Sequence, residues 1–520
     1  MINQKEPTVS FSCFNHNMIP LFLFFTLIIT TIFLLRRKQP KHDGKHPPGP
    51  PGYPVIGNLH MLGTLPHRSL QALSKKHGPI MSLRLGQVPT VIVSSSSAAE
   101  QFLKANDVAF ASRPRLEAPH CLAYGSKGLA FSEYGGYWRN MRKICTLQLL
   151  STSKVESFSS LRKREMELAL TLLKKSASSG EVVDVSEFVH DVIMDIVCNM
   201  VLGCSIDEVF DLKRLIQQGM NLSGAFNLAD YVPFLKVFDL QGLRRRYKRT
   251  HKELDQVLEK IVKKHEESSE KQNGGQKHKD FIDILLSRMN QPIDSSDEQN
   301  NVVDRTNIKA IVLDMIAGSF ETSATVVEWA LSELMRHPRV MKNLQQELDN
   351  VVGVNKMVEE NDLSKLSYLD IVIMETLRLY PAGPLVPRES TEDAVVDGYF
   401  LQKKSRIIVN IWAIGRDSKI WSENAEEFYP ERFADKNLDY RGNDFQFIPF
   451  GFGRRGCPGI NLGLVTVKLV VAQLVHCFSW ELPSNMTPND LDMTEKFGLS
   501  IPRAKHLLAV PTYRLHGEAT

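Results

Sequence analysis

The chain has 520 residues, enough to bury a large core, and its 63 basic against 59 acidic residues leave a net charge of +4. A balance that close excludes a strong electrostatic binder of nucleic acid. Seven cysteines, at positions 13, 121, 145, 198, 204, 457 and 477, form an odd and scattered set without a C-x-x-C pair. They signal neither a zinc site nor a disulfide framework, and fit reduced thiols facing the cytosol.

Residues 18–35, MIPLFLFFTLIITTIFLL, carry no charge. As a helix they span about 27 Å, close to the roughly 30 Å hydrocarbon core of a bilayer. Arg36, Arg37 and Lys38 follow at once, and the positive-inside rule puts that end and the bulk of the chain in the cytosol. A small-residue cleavage site is missing and the basic cluster lies on the wrong side for a signal peptide, so the segment reads as an uncleaved anchor. Residues 1–17 are then a short lumenal terminus, and residues 36–54 a basic, proline-rich hinge. Asn221 (N-L-S) and Asn485 (N-M-T) face the cytosol on this topology and stay unglycosylated. The hinge ends in His46-Pro47-Pro48-Gly49-Pro50-Pro51-Gly52-Tyr53-Pro54, too rich in proline for helix and suited to a stiff extended spacer.

Residues 80–95 alternate and then run apolar about Gly86-Gln87, which predicts a β-hairpin. Trp138 and Arg142 stand four apart, on one helix face, where an indole N–H and a guanidinium suit a carboxylate; an amphipathic basic helix has the same pattern. Residues 153–265 read as mostly helix, with 184–200 apolar at helical spacing, and the aromatic-rich stretch 222–238 as core, loop or channel lining. Arg244-Arg245-Arg246-Tyr247-Lys248-Arg249 is a solvated helix face or a docking patch for an acidic partner or a membrane. Residues 266–280 and 291–301 are polar and read as exposed loops.

Residues 307–337 predict one long apolar helix ended by Pro338. At its centre lie Gly318-Ser319-Phe320-Glu321-Thr322. An acid and a hydroxyl in an apolar helix need a reason, because an unpaired buried charge is costly. Thr322 bonding back to the Gly318 carbonyl is one; a pair holding protons over a reacting group is another. Residues 363–380 predict a helix closed by Pro381, with Glu375 and Arg378 three apart on one face. Residues 382–388, spaced by prolines, are extended, and residues 395–412 add strand.

Then comes Phe450-Gly451-Phe452-Gly453-Arg454-Arg455-Gly456-Cys457-Pro458-Gly459. A thiolate ligates metal, glycines let backbone approach a flat cofactor, and Arg455 reaches an anionic group. The alternative is a turn with an inert buried cysteine. The helix predicted over residues 460–478 begins beside Cys457, where its N-terminal dipole favours thiolate.

This loop resembles the haem-ligand loop of the cytochromes P-450, the haem-thiolate monooxygenases, and residues 45–514 carry that family's motifs in order. The anchor, proline hinge and Pro430-Glu431-Arg432-Phe433 look most like a plant microsomal member of the A-type group. The resemblance implies a mainly α fold with small β-sheets, the cytochrome P-450 fold, over residues 55–520, preceded by one transmembrane helix in the endoplasmic reticulum membrane. It implies haem b (iron protoporphyrin IX) with Cys457 as axial iron ligand. Phe450 and Arg455 in the loop, Trp138 and Arg142 in a W-x-x-x-R motif, and Arg388 would also hold the cofactor. Thr322 and Glu321 would be the catalytic acid-alcohol pair, with Ser319 standing where the family has glycine. Glu375, Arg378 and Arg432 would form a structural ion-pair network. Leu385, Val386 and Phe497 would touch substrate, and residues 113–129 would cover the pocket.

The implied reaction is monooxygenation of a small hydrophobic terpenoid or phenolic with O2. No G-x-G-x-x-G follows a strand, so electrons would come from NADPH through a separate NADPH-cytochrome P-450 reductase. Two alternatives stand beside this: a haem-thiolate isomerase or dehydratase needing no reductase, and a non-enzymatic haem- or lipid-binding membrane protein. The acid-alcohol pair speaks against both.

Overall fold

The computed structural model describes Thr26 and residues 44–205, 211–271, 279–291, 303–436, 438–483 and 486–515. The expected anchor, apart from Thr26, the lumenal terminus and Asn485 lie outside the described residues. Met1–Lys45 and His46–Thr520 are separate units, and the architecture below is that of the second.

The fold is built round the helix Arg305–Arg336. Its start is set by a capping box: Asp304 Oδ1 accepts the Asn307 N–H at 2.7 Å, and the Asn307 side chain accepts the Asp304 N–H at 2.8 Å. Its end is set by Pro338, which opens the next helix, Pro338–Val351. Apolar residues lie all round this central helix, so neighbours must cover it on every side. Val185–Leu202, Ile460–Cys477 and Ser367–Leu379 do so. Both Arg305–Arg336 and Ile460–Cys477 are long and apolar enough to cross a membrane, but 67% of each apolar window is buried inside the protein, as in core helices. Trp329 anchors the contact: it is fully buried, stacks on Tyr380 with centroids 3.9 Å apart, and donates its N–H to the Ile501 carbonyl at 2.8 Å.

The β structure is small. Ile80–Leu85 and Val88–Val93 form the expected hairpin, with Gly86 at φ +62° in its turn. Arg406–Asn410 joins in parallel, with Val91 opposite Ile407, and Leu385–Glu389 closes the four-stranded sheet. A three-stranded sheet (Val183–Asp184, Leu508–Tyr513, Phe478–Glu481) and a two-stranded one (Ala394–Val396, Tyr399–Leu401) complete it.

Local boundaries differ from the sequence reading, as where the strand expected through residue 412 gives way to the short helix Ile411–Ile414. The helix Leu243–Lys271 runs through Glu266, which had read as loop, because Glu259 and Glu266 share a face and both grip Arg305. The helix expected over 363–380 is a short turn, Glu360–Lys365, followed by Ser367–Leu379. The helix after Cys457 stops at Cys477, where Phe478 turns into strand. Arg244–Arg249 forms the first turns of Leu243–Lys271; Arg245 and Arg249 are exposed and Arg249 pairs with Glu253 at 3.0 Å, as on a solvated face.

Candidate active site

The cysteine loop is shaped by its glycines. Gly451 and Gly453 take φ +67° and +70°. A Cβ on Gly453 would lie 2.7 Å from both Asp107 Oδ1 and the Leu103 carbonyl, so no other residue fits there. The turn closes when the Cys457 N–H donates to the Phe450 carbonyl at 2.8 Å. Cys457 carries accessible surface although it lies deep among protein atoms, as a side chain facing an internal space does. Burial pushes its thiol pKa up; the Gly459 backbone N–H and the charge of Arg142 pull the other way. All six described cysteines are free thiols.

Four arginines gather beside this loop. Arg455 is buried and donates to the carbonyls of Ala111 at 2.7 Å, Ser132 at 2.6 Å and Leu129 at 3.4 Å. Arg142 donates to the Gly456 carbonyl at 2.8 Å. Arg113 donates to the carbonyls of Ala130 and Pro387. Arg388 is 1% exposed and donates to the Phe452 carbonyl at 3.3 Å, while its Nε and Nη1 have no partner. Among the described residues no carboxylate pairs with any of the four. Burial, then mutual repulsion, pulls Arg455 down to about 9 and Arg388 well below its usual value; burial alone pulls Arg113 down to about 10. Uncompensated buried cations with orphaned N–H groups demand an anion. A flat cofactor carrying two carboxylates and a metal open to a thiolate meets that demand.

Trp138 serves this cluster as a shelf. Its N–H donates to the Leu129 carbonyl at 3.0 Å, and the Arg455 guanidinium lies 3.9 Å over its ring. The indole N–H is therefore already used by backbone, unlike the direct carboxylate contact the sequence suggests. Phe450 is half-buried against the main core.

Against the central helix lies an apolar cavity of about 150 Å³. Leu122, Phe131, Ile216, Met220, Leu313 and Leu499 supply much of its wall, with Gly318 and Thr322 from the central helix. Thr322 Oγ1 donates to the Gly318 carbonyl at 2.6 Å. Glu321 accepts a hydrogen bond from the Ser500 hydroxyl at 2.9 Å. Ser319 is half-buried, and Gly318 beside it is exposed with open space where a side chain would be.

The ion-pair residues come together. Arg378 grips Glu375 in a bidentate pair at 2.6 and 2.8 Å, and Arg432 Nε donates to Glu375 Oε1 at 2.9 Å. Glu375 and Arg378 are buried, and Arg378 also donates to the carbonyls of Gly415 and Ala425 at 2.5 and 2.6 Å.

Three expected substrate contacts are not among the residues that line this cavity. Leu385 and Val386 sit on the sheet strand Leu385–Glu389 and pack into the clusters of Leu62 and Ile407. Phe497 stacks on His67 with centroids 6.0 Å apart; its neighbours Leu499 and Ser500 line the cavity instead. From residues 113–129, Pro119, Leu122 and Ala123 reach the wall. Sequence reading passed over Ser500 and Asp314, and took Arg113 only as the start of the segment that covers the pocket. Asp314 had the same signal as Glu321, an acid inside an apolar helix.

A buried-arginine anion site, a glycine-shaped cysteine loop and an apolar cavity on a buried helix fit a haem-thiolate enzyme. The family model for cytochrome P-450 matches residues 47–508, and the chain belongs to that family of monooxygenases. It is 53% identical to Cytochrome P-450 CYP736A12 of Panax ginseng, over 91% of this chain and 95% of that one. It is 45% identical to Cytochrome P-450 71A1 of Persea americana (92% and 96%) and 40% identical to Premnaspirodiene oxygenase of Hyoscyamus muticus (94% and 97%).

Proposed function

We propose that the chain hydroxylates a small hydrophobic specialised metabolite, a terpenoid or phenolic, with O2 and with electrons from NADPH delivered by a separate reductase. The balance is one C–H bond, one O2, two electrons and two protons giving one C–OH and one water. The observation that carries this is the apolar cavity whose wall contains Thr322, on the same helix as Glu321. The name of the Hyoscyamus relative, Premnaspirodiene oxygenase, supports this reading.

Cys457 would hold the iron of haem b, and Arg113, Arg142, Arg388 and Arg455 its carboxylates. Bound there, the haem supplies dioxygen activation, with a thiolate that strengthens the push toward O–O cleavage. The chain's own residues do the rest. The apolar wall excludes bulk water and holds the substrate. Thr322 Oγ1 keeps its proton aimed at the helix until a better acceptor enters the groove. The Glu321 carboxylate, oriented by Ser500, takes protons from solvent and passes them to that hydroxyl. Glu375, Arg378 and Arg432 fix the backbone of residues 415–427 that supports the cysteine side of the molecule.

Two surfaces support the expected partners. Tyr53, Val55, Ile56, Phe226, Phe234 and Phe238 are all at least 41% exposed, and backbone hydrogen bonds join Ile56 to Gly86 and Gln87 to Tyr231 across that face. Such a patch suits the surface of the endoplasmic reticulum membrane, next to the hinge. Arg139 and Lys143, exposed on the helix Gly136–Ile144, and Arg454, exposed in the cysteine loop, offer positive charge to an acidic reductase.

The test is turnover of a terpenoid and phenolic panel in membranes containing a plant reductase. NADPH-dependent hydroxylated product supports the reading. Product formed without NADPH would point to the isomerase or dehydratase alternative.

A further inference from the structure

Asp314 stands on the central helix, eight residues before Thr322, and both line the cavity. It is the one carboxylate among the described residues of that wall. One oxygen has a structural task. Oδ2 accepts the N–H groups of Leu129 at 2.5 Å and Ala130 at 3.0 Å, clamping their loop to the helix. The loop comes so close that a Cβ on Gly128 would lie 2.2 Å from Oδ2. The other oxygen has none. Oδ1 accepts no hydrogen bond among the described residues, yet it is not sealed from the cavity. Burial pushes the carboxyl up to about 6, more than the two N–H groups offset. A neutral amide would clamp the loop without that penalty, so the clamp alone does not account for an acid.

We propose that Asp314 is a specificity-determining residue: its second oxygen takes a hydrogen-bond donor, such as a hydroxyl, at one end of an otherwise apolar substrate. Eight residues of helix separate it from Thr322 by about 12 Å, so the oxidised carbon lies at the far end from that donor. The inference rests on the reading of this cavity as the substrate's.

The experiment uses haem-loaded protein and matched ligands. Rigid alcohols of about ten to fifteen carbons are compared with their methyl ethers, and dissociation constants are read from the haem absorbance shift. The wild type binds each alcohol about tenfold more tightly than its ether, the scale of one hydrogen bond to a charged group. In Asp314→Asn the amide oxygen keeps the Leu129 and Ala130 N–H groups, which turns the NH2 toward the cavity and shifts the preference toward ethers. Equal binding of alcohol and ether in the wild type, or an alcohol preference unchanged in the variant, overturns the anchor while leaving the cavity reading intact. An absorbance shift from no ligand of either kind overturns the cavity reading and the anchor with it. Should the variant fail to retain haem, the wild-type pair decides alone.

Discussion

Four guanidinium groups beside one thiol are a configuration the chain does not neutralise by itself. Arg388 shows it best, buried to 1% exposure with two nitrogens unpartnered. The same logic applies to the ion-pair network. Removing Glu375 would leave Arg378 and Arg432 as stranded cations, a loss of about 3–5 kcal/mol. Glu375→Ala is therefore expected to abolish haem incorporation, and normal haem content in that variant would contradict the role. At Thr322 the expected loss is chemical and not structural, because its hydroxyl serves only the Gly318 carbonyl. Thr322→Ala should keep the haem but send electrons to hydrogen peroxide in place of product. An unchanged ratio of peroxide to product would rule out the proton-relay role. Both predictions were open to sequence reading, since helical spacing brings Glu375 to Arg378, and Glu321 and Thr322 stand out as an acid and a hydroxyl in an apolar helix. Of the four clustered arginines, Arg142, Arg388 and Arg455 were legible through the family's motifs and Arg113 was not. Arg113, Arg388 and Arg455 lie far apart in the chain and meet through turns no local pattern announces.

At the scale of elements, the central helix and the C-terminal loops hold each other. Trp329 on the helix is fully buried and bonds the Ile501 carbonyl, so Trp329→Ala removes a ring and leaves an acceptor unmatched. The expected loss is about 3–5 kcal/mol, read as a lower denaturant midpoint. A second tie joins the helix Pro66–His77 to the loop before residue 500. Glu495 accepts from His67 at 2.9 Å, Arg68 at 2.7 Å and Trp412 at 2.9 Å. Burial opposes its charge, but the hydrogen bonds from His67 and Arg68 win and hold the carboxyl down, from 4.5 to about 2. A depressed carboxyl adds stability that is present above 4.5 and is lost as pH falls through about 2. Acid unfolding of the wild type should therefore steepen in that window, and Glu495→Gln should lack the extra step. This tie also explains why Phe497 misses the cavity. Its ring is held on His67, while the chain beyond it turns Leu499 and Ser500 inward. A turn in the sequence shows that the chain reverses, not which of its side chains faces in.

For the whole molecule, the helices were legible where an apolar run met a clear stop, as at Pro338. The hairpin about Gly86 was legible for the same reason. Hidden from local pattern was the partnering over long range. Val88–Val93 pairs in parallel with Arg406–Asn410 across more than three hundred residues, and Leu385–Glu389 pairs with the far edge of Arg406–Asn410. Glu266 likewise lies in the helix Leu243–Lys271, where it pairs with Arg305.

Cys457 is expected to be the thiolate ligand of a haem that serves an oxygenating cavity. The most direct test is the carbon monoxide difference spectrum of reduced membranes containing the chain, run beside Cys457→Ala. The account predicts a thiolate-type band in the wild type and none in the variant. Folded, haem-loaded wild type without that band, or a variant that keeps it, would contradict the assignment of Cys457 and the site built around it.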